Sequence, residues 1–150
     1  MKPRLLLAIA LTALCIAVIL AAPPALGSPT WTLDEFPLPS SGAWPQALAN
    51  DGAGNLWFVE VGGDQVGRLV LAQATPGASN GLTEFPLSLG AWPQGIAVAA
   101  DGSAWFAEFL ADALGVVTPG GVITEHDVLA PGARPLDVAI DDNGDVWFVE

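Results

Sequence analysis

From residue 28 to residue 150 the chain contains no cysteine and no lysine, and its only cations are Arg68 and Arg134. The missing cysteines exclude a disulfide framework and any cysteine-based zinc site in that stretch. The missing positive charge is equally informative. All 16 carboxylates fall in the same stretch, which stands near −14 once Lys2 and Arg4 are set aside from the overall −12. Such a surface repels nucleic acid and anionic lipid, so neither is an expected partner, whereas cations and neutral or cationic small ligands suit it. Helical patterning is lacking too: beyond the N-terminal segment, apolar residues do not recur at three- and four-residue spacing. Histidine is reduced to His126 alone.

What is present begins with an export pattern. Lys2 and Arg4 precede Leu5 to Ala22, a run without charge, and Pro23-Pro24 leads into Ala25-Leu26-Gly27-Ser28. This is the layout of a secretory signal over residues 1–27, cut after Gly27, and it predicts a secreted or cell-envelope protein. An uncleaved anchor is the competing interpretation, because the apolar run is just long enough to span a bilayer. A lipoprotein at Cys15 is disfavoured, since Leu14 stands where a small residue is needed. Apart from this segment no membrane contact is expected.

The remainder, residues 28–150, is a repeat. Glu35-Phe36-Pro37-Leu38, Trp44-Pro45-Gln46-Ala47, Asp51-Gly52 and Leu56-Trp57-Phe58-Val59-Glu60 form one copy. Glu84-Phe85-Pro86-Leu87, Trp92-Pro93-Gln94-Gly95, Asp101-Gly102 and Ala104-Trp105-Phe106-Ala107-Glu108 form the second. The third runs Glu125-His126-Asp127-Val128, Arg134-Pro135-Leu136-Asp137, Asn143-Gly144 and Val146-Trp147-Phe148-Val149-Glu150. Trp57, Trp105 and Trp147 are 48 and 42 residues apart, as are Pro45, Pro93 and Pro135. The longer interval is taken up by Leu71 to Gly81, a Ser/Asn/Gly/Pro-rich loop.

A period in the low forties, cut into short strands by glycine turns, predicts an all-β fold: a β-propeller of four-stranded blades. In the second copy Ile96–Ala99, Ala104–Glu108, Leu114–Thr118 and Val122–Asp127 are the expected strands, and the three Trp-Phe pairs supply apolar bulk between blades. Asp51, Asp101 and Asp142 are expected to serve turns. Trp31 to Leu38 matches a blade's outer, fourth strand, and Glu150 ends a second strand. The register therefore predicts an incomplete arc of about two and a half blades, truncated at the C-terminus, with Trp31–Leu38 an unpartnered or misplaced outer strand. A complete ring is expected to be monomeric.

The unit Glu-Phe-Pro-Leu, x-Pro-x-Gly-Ile, Asp-Gly, Leu-Trp-Phe-x-Glu, x-x-Val-Gly-Arg-Leu resembles the repeat of the streptogramin (virginiamycin B) lyase family. Gln65-Val66-Gly67-Arg68-Leu69 supplies the last element, and Ala113-Leu114-Gly115-Val116-Val117 is a degenerate copy. The resemblance covers Trp31 to Glu150. It implies an enzyme that opens the macrocycle of type B streptogramins by elimination rather than hydrolysis. A histidine acts as general base on an α proton, and a glutamate-held Mg²⁺ stabilises the developing enolate. In the family that histidine follows the proline of x-Pro-x-Gly-Ile in late repeats. The matching positions here hold Gln46, Gln94 and Leu136, so no catalytic residue is assigned in this chain.

Glu60, Glu108 and Glu150 are the candidate metal ligands, if equivalent points of successive blades converge on the propeller axis. Their alternative is framework, satisfying backbone donors or arginines. Trp44, Gln46, Trp92, Gln94 and Arg134 are the candidate ligand-binding residues at the channel mouth: the tryptophans by stacking, the glutamines by bonding amides. The alternatives are blade packing for the tryptophans and a water-solvated lining for the glutamines. His126 belongs to an outer strand and is expected to be exposed or locally bonded. Two functions stay open: a secreted Mg²⁺-dependent C–O lyase acting on a cyclic depsipeptide, whose present segment is inactive alone, and a non-enzymatic envelope propeller that binds a small ligand, glycan or protein.

Overall fold

The computed structural model describes residues 4–6, 15–21, 31–128 and 130–150, and among these it contains strands and turns but no α-helix. The expected cleavage site at Gly27 lies outside the described residues.

Two four-stranded antiparallel sheets follow one another along the chain. The first is built from β4 (Pro45–Asn50), β5 (Asn55–Glu60), β6 (Gln65–Val70) and β7 (Leu82–Pro86), in chain order. The second consists of β8 (Pro93–Val98), β9 (Ala104–Glu108), β10 (Ala113–Val117) and β11 (Ile123–Asp127). A third begins with β12 (Asp137–Ile140) and β13 (Val146–Val149), which pair antiparallel. This is the succession of blades that the repeat predicts. The loop at 71–81 is where the longer interval placed it, closed by Val70 N donating to Gly81 O at 2.8 Å. Each complete blade's first strand is longer than its apolar run, because its register shifts between Pro45 and Leu48, or Pro93 and Ile96, around a bulge.

The turns are fixed by acceptors rather than by composition alone. Asp51 Oδ1 accepts from the amides of Ala53 and Asn55 at 2.8 and 2.9 Å, and Asp101 Oδ1 from that of Ser103 at 2.8 Å. In the third copy Asp142 lies in the turn as expected, and the acceptor is Asp141, which takes the amides of Asn143 and Asp145. Asp141, like Asp51, stands six residues before its tryptophan, whereas Asp101 stands four before Trp105.

The core lies in the seams between blades. Trp57, Val59 and Val66 of the first blade pack with Ile96, Ala104, Phe106 and Val117 of the second. Side chains alternate across a strand, so Leu56, Phe58 and Leu69 face the opposite way, onto Phe36 and Leu38. Arg68 spans the seam: its guanidinium sits 5.3 Å from the Trp57 ring centroid, and Nη1 donates to Pro119 O at 2.6 Å. Glycine is required beneath the phenylalanines. A Cβ on Gly67 would lie 2.0 Å from Phe58 Cζ, and one on Gly115 2.2 Å from Phe106 Cε2.

One expectation takes the second of its two forms and another needs correction. The strand β3 (Trp31–Pro37) is a misplaced outer strand: it pairs antiparallel with β2 (Cys15–Ala21), which in turn pairs with β1 (Arg4–Leu6), and joins no blade. An open edge leaves backbone donors and acceptors unmet, and the N-terminal segment meets them. The third Trp-Phe pair is not buried between blades: Trp147 is 63% and Phe148 37% exposed, since β13 is the edge of a two-stranded sheet.

Candidate ligand-binding rim

The loops that enter β4, β8 and β12 end in Trp44, Trp92 and Arg134, each followed by proline. All three adopt left-handed backbone conformations, with φ of 49°, 49° and 51°. For residues with a Cβ this costs roughly 1–2 kcal/mol apiece, and a following proline narrows the choice further. Backbone bonds hold part of it: Val61 N donates to Trp44 O at 3.2 Å and Phe109 N to Trp92 O at 3.3 Å. In two of the three loops a side chain from the preceding blade adds to them.

Asp64, in the turn between β5 and β6, accepts the amide of Trp92 on Oδ1 and that of Gly90 on Oδ2, both at 2.8 Å. Asp112, between β9 and β10, accepts the amides of Arg134 and Gly132 at 3.0 and 2.8 Å. The amides of Gly132 and Arg134 hold the Asp112 carboxyl below its ordinary range. Each aspartate reaches from one blade to the loop entering the next. Two serines in the entering loops bind the last strand of the blade they lead into: Ser40 N and Oγ donate to Glu84 on β7 at 3.0 and 2.6 Å, and Ser88 Oγ donates to Glu125 on β11 at 2.9 Å. Reasoning from the sequence missed all four pairs. One signal was available, because Asp64 and Asp112 are 48 apart, the interval of Trp57 and Trp105.

Held this way, the candidate residues lie along one rim. Trp44 is 64% and Trp92 44% exposed, so neither is consumed by packing between blades. Gln46 Nε2 donates to Gln94 Oε1 at 2.8 Å, joining the first strands of adjacent blades. The third position continues the row, with Gly95 N donating to Leu136 O at 2.9 Å. A Cβ on Gly95 would strike Asp137, so glycine is what allows this approach. The Arg134 guanidinium lies 5.6 Å from the Phe109 ring centroid. His126 is on β11, exposed and stacked on Trp105 at 5.7 Å, away from the rim.

The glutamates behave differently. Glu60 and Glu108 are fully buried, and none of their carboxyl oxygens has a hydrogen-bond partner, so neither backbone donors nor arginines satisfy them. Burial, then repulsion from Glu84, raises the Glu60 pKa to about 7. Glu108 is raised to about 7 by burial and by Glu125 and Asp64. Glu150, by contrast, is exposed. Among the described residues no three His, Cys, Asp or Glu side chains gather closely enough to hold a metal ion. The neighbours are already engaged: Glu84 and Glu125 by serines, Asp64 by two amides. These residues do not fit a Mg²⁺ site held by several carboxylates.

The family model described as Virginiamycin B lyase family matches residues 28–150. The crystal structure of virginiamycin B lyase from Staphylococcus aureus is 26% identical, with a TM-score of 0.71 over 91% of this chain and 45% of that one. A catalytically inactive histidine-to-alanine variant of the same enzyme, with quinupristin, aligns equally well. A gluconolactonase from Xanthomonas campestris, 15% identical with a TM-score of 0.57 over 93% of this chain and 51% of that one, shares the fold alone. No curated protein matches the sequence. This chain spans less than half the length of the lyase it matches. With the repeat, the blades and the family model in agreement over residues 28–150, the chain belongs to the virginiamycin B lyase family.

Proposed function

We propose that the rim formed by Trp44, Gln46, Trp92 and Gln94 grips a cyclic depsipeptide of the type B streptogramin class, in a propeller whose reaction is elimination. A base removes an α proton, the lactone C–O bond breaks, and an alkene and a carboxylic acid remain without water being consumed. The observation that carries the binding role is the pair of exposed tryptophans flanking the hydrogen-bonded glutamines. Aromatic faces take up the apolar part of a macrocycle, and paired amides match its peptide groups. The S. aureus relative, solved with quinupristin, supports the ligand class.

Binding without chemistry is the role assigned to this segment itself. Gln46, Gln94 and Leu136 stand where the resemblance implies a base, and among the described residues no three His, Cys, Asp or Glu side chains gather. Mg²⁺, when bound elsewhere in such a propeller, would stabilise an enolate; these residues grip and orient. The experiment is a tryptophan-fluorescence titration of the chain with quinupristin, followed by mass spectrometry for linear product. Saturable quenching without linear product is expected. Absence of quenching overturns the binding role, and linear product overturns the assignment of binding alone.

A further inference from the structure

We infer that Asp64 and Asp112 are positioning residues for this rim, each setting, from the preceding blade, the orientation of one ligand-facing side chain. The inference rests on the binding role proposed above and adds the residues that determine its geometry.

Trp92 and Arg134 share one unfavourable backbone conformation, at φ 49° and 51°, and each is followed by proline. Nothing in their own side chains selects it. In both loops one carboxylate takes two amides, that of the left-handed residue and that of the glycine two positions earlier, at 2.8 to 3.0 Å. The aspartates are themselves left-handed, at φ 47° and 52°, which aims each carboxylate across the seam. Asp64 is further anchored through its carbonyl, which accepts Leu87 N at 2.9 Å; the Asp112 carbonyl accepts Val128 N at 2.8 Å. A two-amide grip on a carboxylate is a charge-assisted arrangement, stronger than neutral hydrogen bonds. Its geometric consequence is specific. With φ held and proline following, the direction of the Trp92 Cα–Cβ bond is set, on a side chain that is 44% exposed.

The assignment concerns orientation more than stability, and the two are separable. If Asp64 acts through Trp92, removing both costs no more affinity than removing one; independent contributions would add. The test uses the full chain with quinupristin as probe and variants Asp64→Ala, Trp92→Ala and the pair. Asp64→Ala is expected to weaken binding about tenfold, the effect of losing roughly one charged hydrogen bond. The loss should disappear in the Trp92→Ala background. Additive losses, or unchanged affinity in Asp64→Ala, overturn the assignment.

Amide hydrogen exchange provides a readout that does not depend on the ligand. Asp64→Ala should release both Gly90 and Trp92 amides, whereas Asp64→Asn, which retains one acceptor oxygen and covers the case of a poorly folding alanine variant, should release one. Unchanged protection of both amides in either variant overturns the clamp. If the wild-type chain does not bind quinupristin, the functional reading fails, and exchange at Gly90 and Trp92 still decides the clamp.

Discussion

Glu60 and Glu108 end strands whose preceding residues are almost all buried, and each carries two carboxyl oxygens without a donor. Their pKa values of about 7 fix the sign of a pH effect. A carboxyl that is harder to ionise when folded leaves stability intact below its unfolded pKa. Stability then falls as pH climbs from about 4.5 to about 7, and levels off above. The shift corresponds to on the order of 3 kcal/mol for each group. Asp51 acts in the opposite sense: burial raises its pKa, but hydrogen bonds led by Asn55 outweigh this, so its contribution is lost only in stronger acid. Urea unfolding of the chain at pH 5, 6, 7 and 8 should show the midpoint falling to pH 7, with Glu108→Gln removing about half of the fall. A midpoint that rises over that interval would refute the assignment of neutral, buried carboxyls.

At the scale of the strand and its neighbour, the packing unit is a phenylalanine laid over a glycine. Phe58↔Gly67 and Phe106↔Gly115 are register partners on adjacent strands, so the missing side chain leaves the space the ring fills. Gly67→Ala puts a methyl into that ring and is expected to cost about 3 kcal/mol, the upper range for overpacking. Gly120→Ala, whose Cβ would meet nothing closer than 3.7 Å, is expected to shift stability by no more than about 0.5 kcal/mol. Equal urea midpoints for the two variants would contradict this packing. Most of this level was legible in the sequence, because Trp-Phe-x-Glu recurs three times in register, the strand glycines Gly67 and Gly115 hold equivalent places, and turn glycines mark the ends. What was not legible depends on seams. Asp64 binds amides 26 and 28 residues away, and backbone amides leave no mark in a sequence. Glu60 and Glu108 read as metal ligands or as framework bonded to donors, and their burial without any donor is a tertiary outcome. The pairing of β3 with β2 was hidden because Leu5 to Ala22 carries its own export pattern.

For the molecule as a whole, successive blades place equivalent loops side by side, and a row of repeated residues becomes a surface. Trp44, Trp92 and Arg134 are alike in backbone and different in side chain. Ligand discrimination can therefore arise within a repeated frame: the frame holds direction, and the substitution sets chemistry. Of the repeated glutamates, Glu60 and Glu108 are buried and Glu150 is exposed, whereas the residues just before the blade prolines, Trp44, Trp92 and Arg134, are all exposed. The most direct measurement of the binding role is hydrogen exchange of the chain with and without quinupristin, read over the whole sequence. Slowed exchange confined to residues 40–46 and 88–94 is the predicted result, with β11 and β13 unchanged. Slowed exchange centred on β11 or β13, or none at all, would contradict it.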